Sequence, residues 1–198
     1  MGCMSDDDHQ LLKRALDGDE ASFTTLYRRR QAQVYRFAFH TTGSESAAED
    51  ITQETFLTLF KTGVRFDPER ASVLSFLYGI ARNQVLRLFE RRRLEGWDTA
   101  AEEVPGVGPD AFDDMTRSET IAAVRRAVVS LPPQYREVVV LCDLEGESYE
   151  DAATAIDCPV GTVRSRLSRA RELLGQKLRV ARRNETQEPF PGVARSAS

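Results

Sequence analysis

The fold is decided by the stretch Ser148-Tyr149-Glu150-Asp151-Ala152-Ala153-Thr154-Ala155-Ile156-Asp157-Cys158-Pro159-Val160-Gly161-Thr162-Val163-Arg164-Ser165-Arg166-Leu167-Ser168-Arg169-Ala170-Arg171. Ser148, three residues ahead of Asp151, resembles a capping box with Asp in place of Glu or Gln. A short helix of small residues follows, and small side chains let two helices approach closely. Asp157 to Gly161 reads as a turn, and a second helix runs on to about Lys177. This spacing suits a helix-turn-helix, whose second helix enters the major groove of duplex DNA.

At 100° per residue the second helix separates into faces. Val163, Leu167, Ala170 and Leu174 fall on a core face, while Ser165, Ser168, Arg169 and Glu172 point away from it. Arg164, Arg166 and Arg171 lie on the flanks. Small polar groups with one arginine can read base edges, and flanking arginines suit phosphates, which position without specifying. Residues 160–183 hold eight Lys/Arg against Glu172 alone, whereas an ordinary solvated helix mixes its signs. Thr162, Arg164, Ser165, Arg166, Ser168, Arg169 and Arg171 are therefore the candidate set for duplex DNA.

The rest of the 198-residue chain also reads as helix. Helices are expected over about Asp7–Leu16, Glu20–Thr41, Ser46–Thr62 and Ser72–Arg93, and in the second, most apolar residues recur at three- and four-residue steps. Val138-Val139-Val140-Leu141 is the one strand-like run, inside a longer helical pattern. Periodicity collapses from Glu95 to about Arg117, where Gly, Pro and acidic residues dominate. The expected fold is all-α: a helical domain over 1–94, an acidic flexible linker over 95–117, a helix-turn-helix domain over 118–183 and a disordered tail over 184–198.

The net charge of −4 looks wrong for a DNA binder until it is divided along the chain. Residues 1–94 carry 14 Lys/Arg and 13 Asp/Glu, a net of +1; residues 125–198 carry 12 and 10, a net of +2. Between them, residues 95–124 carry one basic and eight acidic residues, a net of −7. An acidic middle thus hides two weakly basic flanks.

Composition also excludes function classes. Three cysteines, Cys3, Cys142 and Cys158, form no CxxC pair and no disulfide framework, and His9 and His40 are far apart. No metal site, catalytic residue or cofactor is expected, and these features fit a reducing cytoplasm. No apolar run approaches the ~20 residues of a membrane span, and the acidic N-terminus lacks the apolar core of a secretory signal.

Two patches in the first domain carry further meaning. Asp50, Gln53 and Glu54 stand at i, i+3 and i+4, one surface patch on a helix made apolar nearly all round by Phe56, Leu57, Leu59 and Phe60. Such a patch on an otherwise buried helix suits docking onto a basic protein surface. Phe66, Phe76, Tyr78, Asn83, Arg87, Phe89, Arg91, Arg92 and Arg93 then mix aromatic and basic groups, which suits single-stranded DNA. Phe76 and Phe89 are expected to pack inside, leaving Phe66, Asp67, Arg70, Ser72, Asn83, Arg87 and Arg91 as candidates for melted DNA.

Together these residues resemble the sigma factors of the extracytoplasmic-function type, a branch of the sigma-70 family. The resemblance runs from about Leu11 to Leu178, through Ala15–Phe23, Ala48–Phe56, Leu77–Asn83 and Leu131–Arg171. It implies that Asp50, Gln53 and Glu54 bind the clamp helices of the largest subunit of core RNA polymerase. It also implies that Asn83 and the loop from Phe66 to Ser72 capture a flipped base of the melted minus-ten element, and that Arg164, Ser165, Ser168 and Arg169 read the minus-thirty-five element of promoter DNA. An anti-sigma factor as a partner is implied as well, with no insertion into membranes. The linker would thread toward the RNA exit path, where its negative charge suits a basic channel. Departures from the family are Phe76 in place of a usual Trp, a loop from Phe66 to Phe76 about one residue longer, and a small Ser168 where others carry larger residues.

The alternative is a stand-alone helix-turn-helix transcriptional regulator that never binds core polymerase. It leaves the acidic patch and the basic aromatic helix as coincidences. An enzyme of nucleic-acid metabolism finds no Gly-rich phosphate loop, metal cluster or triad in support.

Overall fold

The computed structural model describes residues 3–62, 66–95 and 115–185, and among them every regular element is helical. The first unit comprises α1 (Cys3–Leu16), α2 (Glu20–Thr42), α3 (Glu45–Thr62) and α4 (Val73–Leu94). The second comprises α5 (Met115–Val129), α6 (Pro133–Val139), a π-helical turn at Val140–Leu144, α7 (Tyr149–Ala155) and α8 (Val160–Glu185).

Local signals set the boundaries. Asp19 caps α2, its carboxylate accepting from Ala21 N at 3.0 Å and Ser22 N at 3.4 Å. The chain leaves α2 through Gly43, at φ 75°, whose N–H donates to Phe39 O at 2.7 Å. A side chain at Gly43 would also press on Val129 of α5, whose methyl carbons would lie 3.2 Å from a Cβ. Ser72 caps α4 by accepting from Ser75 N at 3.0 Å. Around Leu26, Val34, Phe37, Ile51, Leu59, Leu77 and Tyr78 the first unit closes its core. Asp8, 1% exposed, ties α1 to α2 through ion pairs with Arg29 and Arg30.

The strand-like run Val138–Leu141 is helical and wholly buried, passing from α6 into the π turn. Its continuous apolar character reflects burial on all sides. Two further boundaries differ from expectation. Helix α5 begins at Met115, inside the expected linker, and α8 reaches Glu185, two residues into the expected tail. The remainder of both segments, 96–114 and 186–198, lies outside the described residues.

The two units pack directly on each other, α4 against α7 and α2 against α5, α6 and the π turn. The small residues of α7 explain this. Ala152, Ala153 and Ala155 are buried, and Gly79 of α4 comes so near that a Cβ there would lie 3.4 Å from the Ala155 carbonyl oxygen. The small-residue stripe thus serves α4 as well as α8.

Candidate nucleic-acid interface

Helix α7 begins at Ser148, which accepts from Asp151 N at 2.9 Å. Asp151 does not complete a reciprocal capping box. One of its oxygens accepts from the Ser148 hydroxyl at 2.6 Å, and the other accepts from Ser75 of α4 at 2.9 Å. The turn pivots on Asp157, a non-glycine residue at φ 51°, a conformation that Asp tolerates better than most. Cys158 N then donates to Ala153 O at 3.0 Å, closing the end of α7. Gly161, expected in the turn, already lies in the first turn of α8.

Helix α8 presents the faces its periodicity predicts. Val163, Leu167 and Ala170 are buried, while Arg164, Ser165, Ser168, Arg169, Arg171 and Glu172 are exposed. Thr162 is half-buried. Ser165 donates to Thr162 O at 3.0 Å, and the Arg164 guanidinium stacks 5.8 Å from the Tyr149 ring centre.

The other two flanking arginines are engaged within the chain. Arg171 forms a fork with Asp143, its Nη2 and Nε at 2.6 and 3.1 Å from the two oxygens. That hydrogen bond holds its proton more tightly than usual. Arg166 lies 3.3 Å from Glu137, a carboxylate only 5% exposed that also accepts from Arg82 at 2.6 Å.

In the first unit, Asn83, Arg87 and Arg91 are all exposed at four-residue steps along α4, so they form one ridge. Phe76 and Phe89 are partly buried and packed against the core, as expected. Phe66 is half-buried, its ring 5.5 Å from Phe76 and 5.7 Å from His9. Asp67 and Arg70 are exposed, and Ser72 is half-buried as the α4 cap. Phe66, Asp67, Arg70 and Phe76 line a cleft of about 720 Å³ whose opposite wall is Glu150, Thr154, Asp157 and Pro159 of the helix-turn-helix.

Asp50, Gln53 and Glu54 are exposed on one face of α3. The expectation of a helix otherwise buried is corrected here: Phe56 and Leu59 are buried, but Leu57 is 55% and Phe60 39% exposed. Leu57 continues the 50, 53, 54 face, so apolar surface borders the acidic patch. A groove of about 380 Å³ beside it is lined by Tyr27, Tyr35, Glu49 and Gln53.

Sequence reasoning missed the buried polar groups where the two units meet. Arg136 donates to Thr41 O at 2.6 Å and Leu131 O at 3.0 Å, with its guanidinium 5.5 Å from the Phe89 ring centre. Burial lowers its pKa to about 10. Arg36 forks onto Glu145 at 2.7 and 3.1 Å. Burial, then the neighbouring Asp151, raises the Glu147 pKa to about 7. No local pattern marks any of these residues.

Residues 26–95 match the family described as Sigma-70 region 2, and residues 121–174 match Sigma-70, region 4. The RNA polymerase sigma-H factor of Pseudomonas aeruginosa is 33% identical, covering 86% of this chain and 93% of that protein. The chain belongs to the sigma-70 family. Its branch is the extracytoplasmic-function one: the ECF RNA polymerase sigma-E factor of Haemophilus influenzae is 34% identical over 86% of this chain and 95% of its own. The ECF RNA polymerase sigma factor SigE of Mycolicibacterium smegmatis is 36% identical over 79% of this chain, which spans 63% of that relative's length. Among solved structures, the sigma factor RpoE of Bartonella quintana, in complex with the anti-sigma factor NepR, superposes with a TM-score of 0.64 at 26% identity, covering 80% of this chain and 97% of that one. CnrH, in complex with the cytosolic domain of CnrY, shares the fold with a TM-score of 0.67 at 24% identity, covering 88% and 98%. This sigma factor thus carries both family regions, and the helix-turn-helix lies within the second. Among its described residues no helix is long and apolar enough to cross a membrane, and no cluster of His, Cys, Asp and Glu could hold a metal ion.

Proposed function

We propose that this sigma factor assigns its contacts by surface chemistry. The α3 face of Asp50, Gln53, Glu54 and Leu57 docks on the clamp helices of core polymerase. The α4 ridge of Asn83, Arg87 and Arg91, with Phe66, Asp67, Arg70 and Ser72, takes the melted minus-ten strand. The outer face of α8, through Thr162, Ser165, Ser168 and Arg169, reads duplex DNA at the minus-thirty-five element, with Arg164, Arg166 and Arg171 toward its phosphates. The protein works in the cytoplasm as an initiation factor without catalysis of its own, and its promoters serve stress or signal response.

The observation that carries this reading is the coexistence of a predominantly basic reading helix with an acidic and apolar docking face on a different unit. A stand-alone regulator has no use for the second. Held by an anti-sigma factor, as RpoE of Bartonella quintana is by NepR, the chain would be released on a signal.

Selection of DNA from a random pool by the reconstituted holoenzyme tests the assignment. Two enriched sequence blocks are expected, with Arg169→Ala relaxing only the upstream block and Asn83→Ala only the downstream one. Enrichment of a single block, reproduced by the free protein without polymerase, would favour the stand-alone regulator.

A further inference from the structure

The loop that leads into α4 fixes its own shape by local hydrogen bonds. The Asp67 carboxylate accepts from Glu69 N at 3.0 Å, and the Asp67 carbonyl accepts from Arg70 N at 3.1 Å and Ala71 N at 3.2 Å. Ser72 then caps α4. These bonds stay within the loop and the first turn of α4, so they set its shape and not where it stands. Asp67, Pro68, Glu69 and Arg70 are all exposed. Among the described residues from 66 to 72, Phe66 is the one packed against the core, so the position of the loop falls to its ring.

That ring meets two others, from different helices. Phe76 of α4 lies 5.5 Å away at 60°, and His9 of α1 lies 5.7 Å away at 54°. Both distances and tilts are ones that ring pairs favour. Phe76 belongs to the helix that the loop begins, whereas His9 comes from the far end of the unit's sequence. Helix α1 is a firm support for it. Asp8, Leu12 and Ala15 share one face of α1 and are all buried, and Asp8 is paired with Arg29 and Arg30 of α2. His9, the next residue after Asp8 and half-buried, is thereby delivered to Phe66.

We propose that His9 is a positioning residue for the capture of melted DNA. Helix α1 carries none of the proposed DNA contacts, yet through the ring series His9, Phe66 and Phe76 it holds the loop from Asp67 to Ser72 where a single-stranded base can meet it. His9 acts through Phe66 and does not touch DNA. Without the imidazole the loop keeps its shape, but its position spreads. Only a fraction of molecules then presents it correctly, and the apparent affinity falls by that fraction. The outer face of α8 is untouched by this change. The inference rests on the reading of Asn83 and this loop as the minus-ten surface.

The test uses the holoenzyme and two probes from one promoter recovered by selection: a single-stranded oligonucleotide of the nontemplate downstream block and a duplex of the upstream block. His9→Ala is expected to weaken binding of the single-stranded probe by about two- to ten-fold, the range for one ring pair, and to leave duplex binding unchanged. His9→Phe, which keeps a ring at the site, should restore it. Asn83→Ala should weaken the same probe through the surface itself. Weakening by Asn83→Ala with none by His9→Ala would overturn the positioning role and leave the minus-ten reading standing. No effect of either would overturn both. Equal losses for His9→Ala and His9→Phe, or a parallel loss on the duplex probe, would also overturn the role, since neither depends on a ring that places the loop. Should His9→Ala fail to fold, His9→Gln replaces it with the same expectation.

Discussion

Arg82 donates to Glu137 at 2.6 Å across 55 residues of sequence, joining the helix that carries Asn83 to the helix on which α8 rests. Glu137 is 5% exposed, so removing its closer partner leaves a buried carboxylate with Arg166 alone. Arg82→Ala is expected to destabilise the protein by roughly 1.5–3 kcal/mol, the range for hydrogen bonds to charged groups. Urea denaturation measures this, and an unchanged midpoint would show that the pair contributes nothing.

The docking face predicts a separation of binding from folding. Asp50 is exposed on α3. Asp50→Arg should therefore leave the helical circular dichroism spectrum and thermal midpoint unchanged while abolishing co-purification with core polymerase. Leu57→Ala should weaken the same association by removing exposed apolar area. Undiminished co-purification of Asp50→Arg would remove α3 from the interface.

The arginines of α8 should divide by role. Arg164 is exposed beside Tyr149 and suits a phosphate. Arg164→Ala should weaken binding to all duplex sequences alike and reduce the salt dependence by about one counterion. Arg169→Ala should change sequence preference instead. Titrations at several salt concentrations on matched and mismatched duplexes distinguish the two, and a sequence-dependent loss for Arg164→Ala would reverse its assignment.

Glu147 gives the interface a pH dependence of known sign. Burial raises its pKa from the ordinary 4.5 to about 7, helped by Asp151 and Glu145 and opposed by Arg30. The folded form therefore binds the extra proton. The stability that proton supplies is fully present below about pH 4.5 and is lost as pH rises through about 7. Between pH 5.5 and 7.5 the thermal midpoint of wild type should fall more steeply than that of Glu147→Gln. Parallel profiles would place the titration elsewhere.

The periodicity of α8, the small residues of α7 and the collapse of pattern after Glu95 made two helical units legible, because each is a local property of the chain. The faces of α8 and the exposure of Asp50, Gln53, Glu54, Asn83, Arg87 and Arg91 follow from helical geometry alone. What escaped depends on distant partners. Arg136 is defined by a carbonyl 95 residues away, and a buried arginine looks in sequence like any surface one. Arg166 and Arg171 sit on the predicted flanks, yet whether an arginine there meets a phosphate or Glu137 and Asp143 is decided by tertiary packing. Leu57 and Phe60 read as core because apolar residues in a helix usually are, yet both are exposed.

Run-off transcription with purified core polymerase, with and without this protein, on promoters recovered by selection tests the central claim most directly. The account predicts a discrete product only when the protein is added, lost with Asp50→Arg. A product independent of the protein, or no promoter-dependent product at all, would contradict it.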